Sequence, residues 1–170
     1  MNTKTLCEQV IDLALKISTR KLSAGRSGNV SVRHANGDGM LITPTGMYAE
    51  DLCPEHVVHV RGNGEVAAGQ LRPSSEWHFH LALYQKRPDC HAIVHTHSPK
   101  ATSVAVLGHD IPSFHYMVAG LGGHKIPCAP YAIFGSDELA DHILETVGKT
   151  YFGCLMEFHG VLAFAKEANL

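Results

Sequence analysis

The run Ala92-Ile93-Val94-His95-Thr96-His97 constrains this chain more than any other segment. An apolar approach rich in β-branched residues, closed by Pro99, predicts a strand in the interior of a sheet. Side chains two apart on a strand point the same way, so His95 and His97 leave its end together. Buried polar groups need partners, and a shared cation would serve both imidazoles. The plainer alternative is a pair of ordinary polar residues at a strand edge. A third imidazole brought in by the fold, such as that of His159, would give three protein ligands and an open position. That is how a catalytic zinc is held, whereas a structural zinc is closed by four.

Thirteen histidines against one tryptophan make histidine the compositional outlier. His78 and His80 repeat the His-x-His spacing inside a predicted helix, where such positions diverge by about 200°; they read as surface or packing residues. The remaining histidines stand singly or in loops. The five cysteines are odd in number and form no Cys-x-x-Cys pair. Free, mostly buried thiols in a reducing, cytoplasmic setting are expected. A net charge of −2 gives no basic surface for nucleic acid or an anionic membrane. No stretch approaches a membrane-spanning length, and the amino terminus lacks the apolar core of a signal peptide. At 170 residues and 45% hydrophobic, the chain should bury one core in one domain.

Leu6 to Leu22 carries Val10, Leu13, Ala14 and Ile17 at helical spacing. After a Gly/Ser loop, the stretches 30–33 and 40–42 predict a hairpin, and 57–60 with 65–67 a second one. Helices are expected over 74–85, 101–107 and 137–147, the first of them opened by two serines. Extended segments at 126–130, 154–158 and 161–164 complete the pattern. Alternating strands and helices predict a single-domain three-layer α/β/α fold on a central, largely antiparallel sheet.

Glu76 has two readings on local grounds. A carboxylate in the first turn of a helix is favoured by the macrodipole, and Ser74 beside it is a normal N-cap. The same N-terminus, with Ser74 and Ser75, also suits an anion. Gly25-Arg26-Ser27-Gly28-Asn29 and Thr43-Pro44-Thr45-Gly46 could form further anion-binding concavities.

Taken in order, Gly-x-x-Gly-Asn at 25–29, Thr-Pro-Thr-Gly at 43–46, Pro-Ser-Ser-Glu-Trp at 73–77, His-Thr-His at 95–97 and His-Gly at 159–160 resemble the class II aldolase/adducin family. Ile111-Pro112, His115-Tyr116-Met117 and 126–131 are similar to its members that act on L-fuculose 1-phosphate. The resemblance implies a zinc-dependent aldehyde-lyase that cuts a ketose 1-phosphate to dihydroxyacetone phosphate and an aldehyde, L-lactaldehyde for that substrate. By position, His95, His97 and His159 would bind one Zn²⁺ per subunit. Glu76 would be the base and also touch the metal when substrate is absent. Gly28, Asn29, Thr45, Gly46, Ser74 and Ser75 would hold the phosphate. Tyr116 would donate a proton at a neighbouring subunit's site, because the family's sites lie at the interfaces of a homotetramer.

Family members continue beyond the position of Leu170 through a tail bearing a second tyrosine. Residues 1–170 are therefore expected to form the family's domain without that tail. Alternatives on the same scaffold are an L-ribulose-5-phosphate 4-epimerase and a sugar-phosphate dehydratase. The epimerase pattern has aspartate in place of Glu76. An adducin-like interaction domain is the alternative outside enzymes, and it would be expected to have lost the metal histidines.

Overall fold

Alternation along three neighbouring strands sorts the apolar residues onto the two faces of one sheet. The computed structural model describes residues 2–166. The extremities of the expected 1–170 domain, residue 1 and residues 167–170, lie outside the described residues. In chain order the elements are α1 (Thr3–Thr19), β1 (Asn29–Arg33), β2 (Met40–Ile42), β3 (Val58–Val60), α2 (Trp77–Lys86), β4 (Ala92–Thr96), α3 (Pro99–Ala105), β5 (Cys128–Ala129), α4 (Asp137–Val147), β6 (Gly153–Met156) and β7 (Gly160–Ala165).

Val30, Val32, Leu41 and Ala92 pack with Val10, Leu13 and Ile17 of α1. Met40, Ile42 and Ile93 join Phe79 and Leu83 of α2 and Leu139 and Ile143 of α4 in a second apolar cluster. Two-residue periodicity thus supplies two cores, one for each face. The strand order is β3-β2-β1-β4-β7-β6-β5. Every pairing is antiparallel except β5 with β6. The expected α/β fold with a largely antiparallel central sheet is the fold observed.

Several boundaries differ from the sequence-based expectation. The first helix begins at Thr3 because Asn2 caps it, its side chain accepting from the Thr5 N–H. Of the second expected hairpin only β3 forms, and its return leg makes a single bridge, Val66 to Val60. The helix expected from Ser74 starts at Trp77. Residues before it are drawn into an antiparallel bridge between Pro73 and Pro44, with Ser74 N–H donating to the Thr43 carbonyl. Competition from this tertiary pairing shortens the helix, and it lays the 43–46 and 73–76 loops side by side.

Candidate active site

Strand pairing brings the candidate residues together. Asn29 on β1 lies opposite His95 on β4, and β7 pairs with the other edge of β4, Val161 opposite Thr96. That second pairing carries the β6–β7 turn, and His159 with it, against His95 and His97. Gly160 permits the approach: a Cβ there would stand 2.6 Å from the Thr96 carbonyl oxygen and 3.0 Å from His97 Cδ2. Gly28 serves in the same way, at φ +84°, where a Cβ would meet Ser23 Oγ at 2.8 Å and the His95 carbonyl oxygen at 2.9 Å. Ser23 Oγ in turn accepts from the His97 N–H.

The ligand atoms of Glu76, His95, His97 and His159 all lie within 4.8 Å of one another. Fully buried, His95 is neutral, its pKa pushed down to about 4 by desolvation against the opposing pull of Glu76. Its Nδ1–H donates to the Val161 carbonyl at 3.0 Å, which fixes the tautomer and leaves a lone pair on Nε2. That Nε2 faces His97 Nε2 at 3.0 Å and Glu76 Oε2 at 3.3 Å. Glu76 Oε1 is 3.0 Å from His159 Nε2 but receives no aligned hydrogen bond, although it is buried. Burial works to raise the Glu76 carboxyl, yet the His159 and His95 imidazoles and the Asn29 amide outweigh it and bring it to about 2. A carboxylate with an unserved buried oxygen and a lone pair aimed at two neighbouring ligands fits a divalent cation shared among the four residues.

Glu76 stands at the N-cap of α2, yet its side chain makes no capping bond. Its position at the helix start is the one the macrodipole reading expects, but the side chain does not cap the helix. The carboxylate turns into the cluster, where Asn29 Nδ2 donates to Oε2 at 2.9 Å.

Beside the cluster opens a cleft of about 540 Å³. All six residues expected at phosphate line it: Gly28, Asn29, Thr45, Gly46, Ser74 and Ser75, along with Glu76, His97 and His159. Arg26, from the Gly-rich loop read as an anion-binding concavity, lines it too and donates to the Gly46 carbonyl. Exposed Tyr131, Phe134 and Phe158 form an aromatic rim that the sequence reading missed. Tyr116 lies outside the cleft, 80% exposed at the start of the 3-10 turn Tyr116–Leu121.

His80 corrects an expectation. It is neither a surface residue nor simple packing: it is fully buried and hydrogen-bonded through both ring nitrogens, to Asn29 and to Ser31. The signal available in the sequence was its distance of four positions from Glu76, which places the two on one helix face.

Residues 8–169 match the family of the Class II Aldolase and Adducin N-terminal domain. The chain belongs to that family. This class II aldolase chain is 48% identical to an L-fuculose phosphate aldolase of Escherichia coli O6:H1 over its whole length, which spans 76% of the relative. A 5-methylthioribulose-1-phosphate/5-deoxyribulose-1-phosphate aldolase of Rhodospirillum rubrum is 46% identical over 91% of this chain and 68% of that one. Among solved structures, an L-fuculose 1-phosphate aldolase superposes with a TM-score of 0.91 at 34% identity, over 98% of this chain and 78% of the other. The class II aldolase is an aldehyde-lyase, and the metal of its fuculose-type relatives, Zn²⁺, suits the three-imidazole, one-carboxylate cluster.

Proposed function

We propose that this aldolase reversibly cleaves a ketose 1-phosphate, L-fuculose 1-phosphate first among them, to dihydroxyacetone phosphate and L-lactaldehyde. The observation that carries the reading is the position of the Glu76–His95–His97–His159 cluster at the edge of a cleft lined by the six candidate phosphate residues. In this reading His95, His97 and His159 hold Zn²⁺, with Glu76 as a fourth contact when substrate is absent. The bound ion supplies concentrated positive charge beside the reacting carbonyl.

The remaining work falls to the chain's own groups. As the carbon–carbon bond opens, the proton of the hydroxyl that becomes the aldehyde oxygen leaves to Tyr116, and Glu76, the base that removes a carbon-bound proton of dihydroxyacetone phosphate in condensation, returns that proton in cleavage. The bond's electron pair stays with the three-carbon fragment, which is then protonated at carbon to give dihydroxyacetone phosphate. Gly28, Asn29, Thr45, Gly46, Ser74 and Ser75 hold the phosphate, so remote binding energy positions the reacting carbons. Tyr116 protonates the aldehyde oxygen in the condensation direction from a neighbouring subunit, in a homotetramer. Five free cysteines suit a reducing compartment, and the cytoplasm is the proposed location; among the described residues no helix is long and apolar enough to cross a membrane.

The relatives' names leave a second substrate in contention, a 5-deoxy- or 5-methylthio-ribulose 1-phosphate. Coupled measurement of dihydroxyacetone phosphate release across a panel of ketose 1-phosphates tests both. L-Fuculose 1-phosphate should give the highest kcat/KM. Release only from the ribulose derivatives would move the assignment to them, and release from none would overturn it.

A further inference from the structure

From Glu76, four hydrogen bonds run in series into the protein. Tyr84 Oη is 2.8 Å from Ser31 Oγ, Ser31 Oγ is 2.7 Å from His80 Nδ1, His80 Nε2 is 2.5 Å from Asn29 Oδ1, and Asn29 Nδ2 is 2.9 Å from Glu76 Oε2. All five residues are buried.

The direction of every bond follows from one end. An ionised carboxylate only accepts, so Asn29 must present its NH₂ to Glu76 and its carbonyl to His80. His80 Nε2 must then carry a proton. Fully buried with no carboxylate touching it, the ring is neutral, so Nδ1 has none and accepts from the Ser31 hydroxyl. Ser31 has spent its single proton and accepts from Tyr84. Each donor therefore points toward Glu76, and bonds aligned in this sense polarise one another.

We infer that His80 is a positioning residue for the reaction: it holds the Asn29 amide in the one orientation that donates to Glu76. The inference rests on the reading of Glu76 as the base and extends it. A reversed amide would set the Asn29 carbonyl oxygen against the carboxylate, two acceptors with no proton between them. The Ser31 and Tyr84 hydroxyls act one step further back by fixing the His80 tautomer.

The test compares His80→Phe, which keeps a ring but donates nothing, with His80→Gln, whose amide nitrogen can stand where Nε2–H stood. In His80→Phe, kcat should fall about ten-fold or more, as misplaced catalytic groups do, while zinc content stays the same. His80→Gln should recover most of the loss. In metal-free protein, solvent exchange of the Asn29 side-chain amide protons, followed by NMR, should be faster in His80→Phe than in wild type, and slowed again in His80→Gln. A kcat within two-fold of wild type in folded His80→Phe, an unchanged Asn29 amide, or a loss that glutamine does not restore would each overturn the inference. If His80→Phe does not fold, Ser31→Ala carries the same comparison, since it removes the hydroxyl that sets the tautomer and keeps the His80 ring. Glu76→Gln is measured alongside. Unimpaired substrate proton exchange in that variant would overturn the base, whereas the metal-free Asn29 amide reports the relay whichever residue is the base.

Discussion

Glu76 sits where a helix ordinarily wants a capping side chain, and it declines the role. Both carboxylate oxygens instead meet groups from other parts of the chain: Asn29, His95 and His159. If it served only as a helix-start residue, Glu76→Gln would cost about 0.3–1 kcal/mol of stability and leave turnover nearly intact. As the base it cannot be replaced by an amide, so kcat should fall roughly 10²-fold or more. Zinc content should hold, because the three imidazoles remain, and solvent deuterium should stop exchanging into dihydroxyacetone phosphate. Near-normal kcat and exchange would return the residue to a structural role. The sequence displayed the ligand types at this scale, since His-x-His and His-Gly are local patterns. It could not display the amide that steers Glu76, because Asn29 reaches its two partners across separations of 47 and 51 residues. Asn29 offered itself only as part of a Gly-rich anion loop. Its side chain in fact spends its carbonyl and one donor within the protein.

At the scale of elements, the pairing of β4 with β7 determines whether the site exists. Gly160 lies where those strands converge on the imidazoles, and Gly160→Ala places a methyl 2.6 Å from the Thr96 carbonyl oxygen. Backbone cannot yield as a side-chain tip would. The substitution should destabilise by about 1–3 kcal/mol, the usual range for overpacking, and weaken zinc binding by displacing His159 from His97. Thermal melts and metal content measured together check this; a variant with wild-type values in both would show that the turn has room to spare. Strands whose residues alternate between the two cores were legible in the sequence, and so was α4, which the structure shows capped by Ser136. The return leg at 65–67 was not, because alternation fixes a strand's faces and leaves open whether a partner lies beside it. The start of α2 was misjudged for a related reason. Two serines make a good local cap, but the bridge between Pro44 and Pro73 claims the backbone before them.

For the whole molecule, the exposed side chains of Phe114, Tyr116 and Met117 are apolar or aromatic surface left in water by a single chain, as expected of a proposed interface. Light scattering should give a mass about four times 18.4 kDa. Tyr116→Phe, which removes only the hydroxyl, should slow the condensation of aldehyde with dihydroxyacetone phosphate. A monomer that cleaves substrate at full rate would remove Tyr116 from the reaction. The layered architecture was legible from alternating strands and helices, whereas the aromatic rim of Tyr131, Phe134 and Phe158 was not, since such residues ordinarily signal core. The order of strands carries one more consequence. His95 and His159 become neighbours only when β7, made from the last part of the described chain, inserts between β4 and β6. Zinc-finger peptides fold around their metal; here the four candidate ligand residues are brought together by strand pairings between distant parts of the chain, of the kind that close slowly. In the proposed reading, closure of the sheet finishes the metal site: a chain lacking β7 would have Glu76, His95 and His97 but no His159 held beside them.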